Sequence, residues 1–417
     1  MKILVIHQYF LGKGGAGGSR WNQFAKYFAE AGHEVTVLAG MLEPVKAVKL
    51  PQYKGKFIVK ENEGPGVTVY RCHVSESYNR SFLGRAWAYL SFFLSSMWAG
   101  LFKVSRPDVI IATSPPLTVA PAMWHLARWH RVPAVFEVRD LWPESAIDTG
   151  VLTNKRVIHA LYRLEAKAYR RAAWINVLTP AFAETLAEKK GVPREKISMI
   201  PNGADLDIMQ PGPKDNEVRK QLGLEGKFVV SYFGAHGRAN RLGQLLDVAE
   251  KLKGPHPEVR ILLVGDGMEK PMLVEEARGR GLDNLVFVEV VAKEKVCDYI
   301  NASDVCTAVL MKNDTFKTVY PNKVFDYMSC KRPILVAIDG VARKLVEDAE
   351  AGLFCEPENP EAFVAALLTL KNDPERMICM GESGYRHVVE HYSRKGMAKA
   401  YLKVLEGVVA AGRAKRS

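Results

Sequence analysis

The sequence predicts an α/β protein with two Rossmann-like, doubly wound domains that face each other across a cleft. At 417 residues the chain is too long for one ordinary hydrophobic core. An apolar run at 3–6 is followed by a glycine-rich segment, an amphipathic stretch and a second apolar run, which is the order that builds a parallel sheet. The same order restarts at Phe228. We therefore expect a first domain over 1–197 and a second over 198–392, with the closing helix, 393–417, returning to the first.

The composition favours an anionic partner. The chain has 58 basic and 46 acidic residues, so its net charge is +12. Nucleic acid is not expected, because neither zinc-ligand spacing nor an RNA-binding aromatic motif is present. The six cysteines are scattered without a C-x-x-C pair, which indicates neither a metal site nor a disulfide framework. This cysteine usage favours a reducing, cytoplasmic compartment, and the opening apolar run is predicted to be a strand because it is too short for a signal peptide.

The first half of the chain alternates apolar runs with amphipathic stretches, and 42–81 is polar and irregular apart from one strand-like piece. The predicted strands are 3–6, 34–39, 67–70, 108–112, 133–136 and 173–179, and the predicted helices are 19–31, 82–102, 156–173 and 180–190.

The glycine-rich segment after the first strand could let the backbone approach a ligand above a helix N-terminus. Gly15, Gly17 and Gly18 are therefore candidates for contact with a ligand. A dinucleotide site is disfavoured, because the segment starts late after the strand and the next strand ends at Gly40 without an acidic residue for a ribose. It is not a P-loop either, since no Gly-Lys-Ser/Thr follows.

Residues 82–102 leave two alternatives open. The stretch 86–102 is uncharged and rich in aromatic residues, and basic residues flank it on both sides. This pattern suits a helix that lies in a membrane interface, and 123–131 has a similar basic and aromatic character. The alternative is a buried helix of the first domain. A span is disfavoured, since 17 residues with three serines are marginal for crossing a bilayer.

Three carboxylates and an arginine follow the strand at 133–136, at the edge where open α/β sheets bind ligands. Glu137, Arg139 and Asp140 are our candidate catalytic residues. Either carboxylate could orient or deprotonate an attacking hydroxyl. The alternative is a structural cluster in which the arginine holds the loop.

The second half repeats the alternation after a Pro- and Gly-rich linker at 211–216. The predicted strands are 197–200, 229–233, 260–264, 285–291, 305–310 and 334–337, and the predicted helices are 242–252, 293–300, 360–370, 393–409 and two that begin near 269 and 323.

Three basic residues of this half fall on turns or helix starts. Arg238 and Arg241 lie in a glycine turn, and Lys323 lies in the first turn of a helix for which Asn322 is the expected N-cap. A lysine there opposes the helix dipole at a cost of about a few tenths of a kcal/mol unless an anion binds. The three cations would suit a diphosphate. The alternatives are solvated surface charges and an ordinary ion pair between Lys323 and Asp326.

Several motifs, by their order along the chain, make it resemble glycosyltransferase family 4, whose enzymes have the GT-B fold. They are Gly14-Gly15 to Ser19, Gly32-His-Glu-Val-Thr-Val37, Ile200-Pro-Asn-Gly-Ala-Asp205, Leu263-Val-Gly-Asp-Gly267 and Pro321-Asn-Lys-Val-Phe-Asp-Tyr-Met328. The resemblance covers essentially the whole chain. Ser114-Pro-Pro-Leu117 and Phe136 to Ser145 further resemble the L-fucosamine transferase-like branch, which assembles O-antigen and capsule on polyprenyl diphosphate.

The resemblance implies a retaining, metal-independent transfer from a nucleotide sugar, usually a UDP-sugar, with no cofactor beyond that donor. It also implies a lipid-linked glycan acceptor and peripheral contact with the inner leaflet of the cytoplasmic membrane. It implies that the donor is bound by the glycine segment, Asn202 and His236. Within the donor, the diphosphate would be held by Lys323 with Arg238 or Arg241, and the ribose hydroxyls by Asp326.

The sequence departs from the family's pattern in two places. The first of the family's paired glutamates corresponds to Thr318, and Arg139 beside Asp140 stands where many members have a histidine. The pair Asp205 and Asp207 looks like a metal motif but belongs to the turn after Asn202. Two alternative functions remain open, a UDP-sugar 2-epimerase of the same architecture and a non-enzymatic nucleotide-binding protein.

Overall fold

The computed structural model describes residues 1–12, 20–43, 48–79 and 81–414. The chain divides into two compact units. The N-terminal unit is Met1–Pro201 with Arg394–Ser417, and the C-terminal unit is Asn202–Ser393.

The N-terminal unit is built on a sheet of eight strands. The strands are β1 (Lys2–Ile6), β2 (Glu34–Gly40), β3 (Ile58–Gly64), β4 (Val67–Cys72), β5 (Val109–Ser114), β6 (Ala134–Val138), β7 (Trp174–Val177) and β8 (Ile197–Met199). The helices are α1 (Arg20–Glu30), α2 (Phe82–Phe102), α3 (Val119–His130), α4 (Glu144–Asp148), α5 (Lys155–Arg171) and α6 (Pro180–Glu184).

The strand order is β3-β4-β2-β1-β5-β6-β7-β8, and every pair except β3 with β4 is parallel. The central strands β5 and β6 are buried along their whole length, as expected where helices cover both faces of a parallel sheet. The order reverses between β1 and β5. In a doubly wound sheet this reversal opens a crevice at the carboxyl ends of those two strands.

Two features of this unit differ from the sequence prediction. The polar region contains β3, which pairs antiparallel with β4 as an edge strand. The predicted boundary between 197 and 198 falls inside β8, whose Ile197 pairs with Ile175 of β7. The first sheet therefore keeps this strand, and the division between the units follows Pro201.

The C-terminal unit has six parallel strands in the order β11-β10-β9-β12-β13-β14. The strands are β9 (Phe228–Phe233), β10 (Val259–Val264), β11 (Leu285–Val288), β12 (Val305–Val309), β13 (Ile334–Ala337) and β14 (Gly352–Phe354). The helices are α7 (Glu217–Gln221), α8 (Gly243–Lys253), α9 (Lys270–Gly279), α10 (Lys293–Asn301), α11 (Asn322–Ser329), α12 (Val341–Asp348), α13 (Pro360–Lys371) and α14 (Pro374–His391). The reversal of order lies between β9 and β12.

The last helix, α15 (Arg394–Ala414), packs on α1 of the N-terminal unit. Tyr401 is fully buried and makes edge-on or tilted ring contacts with Trp21, Phe24 and Phe28. This aromatic cluster confirms the predicted return of the closing helix to the first domain. The two largely parallel sheets confirm that each unit is a Rossmann-like α/β domain.

One side of α2 is apolar and open to solvent. Its exposed large side chains recur every three or four residues and so form one stripe along the helix. They are Leu83, Trp87, Leu90, Leu94, Trp98 and Phe102, with exposures of 38–77%. The opposite side, with Ala88, Phe92 and Ala99, is buried. The helix is thus neither wholly buried nor a span, since no helix among the described residues is long and apolar enough to cross a membrane.

Candidate functional site

In the C-terminal unit, two glycine turns meet at the carboxyl edge beside the reversal of strand order. Gly265 follows β10 with a φ of 146°, and a Cβ at this position would overlap the carbonyl oxygen of Gly234, which follows β9. Only glycine allows this approach. The two turns form an edge without side chains, where a ligand can come close to the backbone.

Lys323 lies in the first turn of α11, against this edge. Its ammonium nitrogen is 3.6 Å from the ring centroid of Tyr232 and would be 3.0 Å from a Cβ at Gly234. It has no ion pair or hydrogen bond with another described residue, and burial lowers the pKa of Lys323 well below its ordinary value. An enclosed ammonium without an acidic partner is costly, and an anionic ligand would offset that cost.

His236 lies in the turn after β9 and is fully buried. Neither ring nitrogen has a hydrogen-bond partner among the described residues, and the ring packs near Tyr232 and Phe287. Burial, followed by the charge of Lys270, lowers the pKa of His236 to about 4. The imidazole is therefore neutral at pH 7, with one nitrogen able to donate and the other able to accept.

Sequence reasoning missed Lys270. Its ammonium is buried at the start of α9 and donates to the carbonyls of Gly265 and Val288 at 3.0 and 3.2 Å and to Glu289 at 2.7 Å. These bonds tie the carboxyl ends of β10 and β11 together. No motif marks this lysine, because its partners are mostly backbone carbonyls.

The two arginines predicted to join Lys323 are exposed on the turn after β9. Arg238 begins a short 3-10 turn, Arg238–Asn240, and Arg241 ends it in a left-handed conformation with a φ of 46°. The Arg241 side chain is 62% exposed and lies 3.8 Å from a carboxylate oxygen of Glu358. The structure places all three cations at the same edge of the sheet, but the two arginines are exposed, whereas Lys323 is partly buried.

The remaining residues predicted to bind the donor lie on α11 or beside it. The Asn202 side-chain amide donates to the Asn322 side-chain oxygen at the start of the helix. Asn322 is the first residue of α11 and does not cap it, since the preceding Pro321 holds the N-cap position. Asp326 is partly buried one turn after Lys323. Thr318, at the position of the missing glutamate, donates to the carbonyl of Thr315 at 2.5 Å.

In the N-terminal unit, Glu137 lies in the core and not at the open edge. It has no exposed surface and accepts hydrogen bonds from Trp21 at 2.9 Å, Arg20 at 3.1 Å and Asn176 at 3.2 Å. Arg20 also donates to the carbonyls of Ile200 and Pro201. With its oxygens occupied, Glu137 is placed to hold α1, β6 and the end of the first sheet together. These surroundings do not support the predicted catalytic role.

Asp140 is partly buried in the loop after β6. The Ser145 hydroxyl donates to its carboxylate at 2.7 Å, and burial raises the pKa of Asp140 to about 6. A carboxylate with a pKa near neutrality is suited to accept a proton from a hydroxyl. The geometry therefore keeps Asp140 as a candidate base.

Arg139 and His7 lie near each other at the edge beside the reversal of the first sheet. Arg139 has no ion pair within 4.0 Å among the described residues, its Nε is buried without a hydrogen-bond partner, and burial lowers its pKa. His7 follows β1 and is 2% exposed, and its Nδ1 also has no partner among the described residues. Burial, then Arg139 and Arg71, lower the pKa of His7 well below its ordinary value.

The glycine segment and the pair Asp205 and Asp207 complete the sequence candidates. Gly15, Gly17 and Gly18 lie outside the described residues. Asp205 is buried and lies 3.5 Å from Lys293, whereas Asp207 is exposed. Within 1–12, 20–43, 48–79 and 81–414, no group of three or more His, Cys, Asp or Glu side chains is arranged to hold a metal ion.

Two family models match the chain. The glycosyl transferase 4-like domain matches residues 15–203, and the glycosyl transferases group 1 domain matches residues 227–373. Together they cover most of both units.

Similar proteins extend over nearly the full length. The putative colanic acid biosynthesis glycosyl transferase WcaI of Escherichia coli K12 is 26% identical over 88% of this chain and 91% of its own. The structure of Anabaena Alr3699/HepE in complex with UDP-glucose matches 98% of this chain and 100% of its own, with a TM-score of 0.72 and 17% identity. WaaG, a glycosyltransferase involved in lipopolysaccharide biosynthesis, matches 98% and 100% with a TM-score of 0.68 and 14% identity.

Proposed function

We propose that this chain, which belongs to glycosyltransferase family 4, transfers a hexosyl or aminosugar residue from a UDP-linked donor to a glycan on polyprenyl diphosphate. The reaction retains the configuration of the anomeric carbon, requires no metal ion and serves the synthesis of a cell-surface polysaccharide. Similarity to WcaI and WaaG, which are named for colanic acid and lipopolysaccharide biosynthesis, supports a role in polysaccharide synthesis. Similarity to HepE, solved with UDP-glucose, supports a UDP-sugar as the donor.

The observation that carries the donor assignment is the enclosed ammonium of Lys323. Its charge is desolvated, lies at the reversal of strand order and has no acidic partner among the described residues. A diphosphate supplies the missing anion, and the start of α11 adds backbone N–H groups that point at it. Arg238 and Arg241, exposed on the neighbouring turn, reach the same anion from solvent.

The same cations promote departure of the nucleoside diphosphate. Negative charge grows on the leaving oxygen as the sugar separates, and fixed positive groups stabilise that charge without a metal ion. Neutral His236 can donate one hydrogen bond to the donor while its other nitrogen accepts. Asp326, one turn from Lys323 on the same face of α11, binds the ribose hydroxyls.

We assign the acceptor to the N-terminal unit, where Asp140 orients the attacking hydroxyl and accepts its proton. The pKa of about 6 keeps most of this carboxylate ionised at pH 7 while leaving it basic enough to take part in proton transfer. Glu137 supports this edge indirectly, because it anchors α1 and β6 from the core.

The lipid-linked acceptor requires contact with a membrane surface, and the exposed stripe of α2 provides it. Helix α2 packs beside α3, and α3 beside α5. Helix α5 carries six basic residues, and its one carboxylate, Glu165, is buried against Lys190. Exposed Arg128 and Trp129 lie at the end of α3. An apolar stripe beside a basic surface suits the inner leaflet, whose lipids are anionic.

Release of UDP from a panel of UDP-sugars, with and without polyprenyl-diphosphate glycans, tests the proposal. Acceptor-dependent release of UDP that persists in EDTA, together with an α-linked product from an α-linked donor, is the expected result. Release without an acceptor would instead indicate a hydrolase, whereas a UDP-sugar 2-epimerase would convert the donor into its epimer and release no UDP. No release from any UDP-sugar would contradict the proposal.

A further inference from the structure

Several buried polar atoms at the carboxyl edge of the N-terminal sheet have no hydrogen-bond partner among the described residues. They are Nδ1 of His7, Oε1 of Gln8, Oγ1 of Thr113 and Nε of Arg139. The side chains of His7, Gln8 and Thr113 are each no more than 2% exposed. Buried polar groups are nearly always paired in folded proteins, so a cluster of polar atoms without partners among the described residues is suited to bind a ligand.

The cluster lies where the strand order of the sheet reverses. Ile6 of β1 pairs with Ala112 of β5, so that His7 and Thr113 follow as neighbours at the ends of these two strands. Arg139 follows β6, the next strand along, and its backbone N–H donates to the carbonyl of Ser114 at 3.1 Å. A doubly wound sheet binds its ligand at this position.

Arg139 places a positive charge at this edge. The nearest carboxylates to Arg139 are engaged elsewhere, because Glu137 accepts from three donors and Asp140 accepts from Ser145. Neither lies within 4.0 Å of the Arg139 guanidinium, and His7 is neutral at pH 7. The edge therefore offers one desolvated guanidinium, an imidazole and a hydroxyl, which together suit a single anionic group.

We propose that Arg139, with His7 and Thr113, binds a carboxylate or phosphate carried by the acceptor sugar whose hydroxyl Asp140 orients. Arg139 and Asp140 are consecutive, with Cα atoms about 3.8 Å apart, so the anion and the hydroxyl belong to the same sugar or to adjacent ones. The inference rests on the proposed function and narrows it, since it makes the acceptor an acidic glycan such as a uronate or a sugar phosphate.

Matched acceptors test this specificity with the full-length protein. Three lipid-linked glycans are compared that differ only in the terminal sugar, which is neutral, carries a carboxylate or carries a phosphate. The wild type is expected to favour one acidic acceptor over the neutral one by about tenfold or more in kcat/KM, and the comparison shows which acid it uses. Equal efficiency with all three acceptors would overturn the inference.

Variants of Arg139 test whether its guanidinium causes the preference for an acidic acceptor. Arg139→Gln is expected to lose most of the acidic preference while the KM for the UDP-sugar stays within about twofold. Arg139→Lys keeps the charge without the planar fork and should retain a reduced preference. Arg194→Gln, at a 64% exposed arginine of the same unit, should behave as wild type. Retention of the full preference in Arg139→Gln would contradict the assignment.

Binding of inorganic phosphate, measured by calorimetry with and without saturating UDP, separates this inference from the proposed function. Phosphate should bind wild type even when UDP is present, and binding should be lost in Arg139→Gln. Failure of UDP to bind would count against the proposed function alone. Phosphate binding to Arg139→Gln as strong as to the folded wild type in the presence of UDP would overturn the inference.

Discussion

The ammonium of Lys323 rests on the face of the Tyr232 ring, 3.6 Å from its centroid. This contact joins the start of α11 to the end of β9 at the reversal of the second sheet. The ring attracts the cation without neutralising it. Lys323 is therefore held in place with its charge still available to a ligand, which is what a diphosphate site requires.

Replacement of Tyr232 should weaken donor binding more when the aromatic ring is lost than when only the hydroxyl is lost. Tyr232→Leu removes the ring under Lys323 and is expected to raise the KM for the UDP-sugar about 3- to 30-fold, since a desolvated cation–π contact contributes about 0.5–2 kcal/mol. Tyr232→Phe keeps the ring and loses only the hydroxyl bonds to Ala235 and Asn240, so its KM should rise less. An equal rise in both variants would contradict a role for the ring.

Much of this unit could be predicted from sequence because its signals are local. Parallel strands buried on both faces are continuous apolar runs, and the start of α11 is marked by Pro321 and Asn322. For the same reason, the sequence alone shows that Lys323 lies unfavourably in the first turn of a helix. Its packing against Tyr232 and Gly234 could not be predicted, because these residues are about ninety positions away in sequence.

Other features depended on contacts that no local pattern reveals. Strand β3 reads as polar, since it is an edge strand with the sequence IVKENEG. Glu137 looked like a residue of the open edge because it ends an apolar run. Its burial is set by Trp21 and Arg20 on α1, more than a hundred residues earlier.

Glu137→Gln should therefore destabilise the fold instead of removing a catalytic group. Loss of the charge leaves buried Arg20 without its carboxylate, and breaking a buried ion pair of this kind costs about 3–5 kcal/mol. Thermal unfolding should show a clearly lower Tm, while exposed Glu188→Gln should match wild type. A variant with an unchanged Tm and no turnover would support the catalytic role instead.

The transfer rate of Asp140→Asn should be about 10²–10⁴-fold lower than that of wild type, which is the contribution of one general base. The wild-type kcat/KM should decline as the pH falls below about 6, because protonation removes the base. Exposed Asp148→Asn on α4 provides the control. Unchanged transfer by Asp140→Asn would exclude Asp140 from the reaction.

The same raised pKa predicts a change in stability. Folding favours the protonated carboxyl, so this contribution to stability is complete below about pH 4 and is lost as the pH rises through about 6. Asp140→Asn should therefore gain stability relative to wild type between pH 4 and 8, by about 1–3 kcal/mol. A constant difference across this range, measured by denaturant unfolding, would contradict the raised pKa.

The stripe of α2 should bind anionic vesicles. Trp87→Ser combined with Leu94→Ser removes two side chains that are 52% and 50% exposed, and vesicle affinity should fall by about tenfold or more. Ile378→Ser, at a 68% exposed position on α14, is the matched control and should bind as wild type. Sedimentation with phosphatidylglycerol-containing vesicles measures the effect. Equal sedimentation of the double variant and the wild type would exclude this stripe as the contact.

The most direct test of the donor site is the affinity for UDP, measured by calorimetry on wild type and Lys323→Ala. Lys344→Ala, at a 75% exposed lysine of the same unit, is the control and should bind as wild type. Loss of one charged contact to the diphosphate should weaken UDP binding about 10- to 100-fold while the Tm is maintained or raised, because the variant no longer buries an unpaired ammonium. UDP binding of unchanged strength in Lys323→Ala would contradict the assignment of the donor diphosphate to this edge.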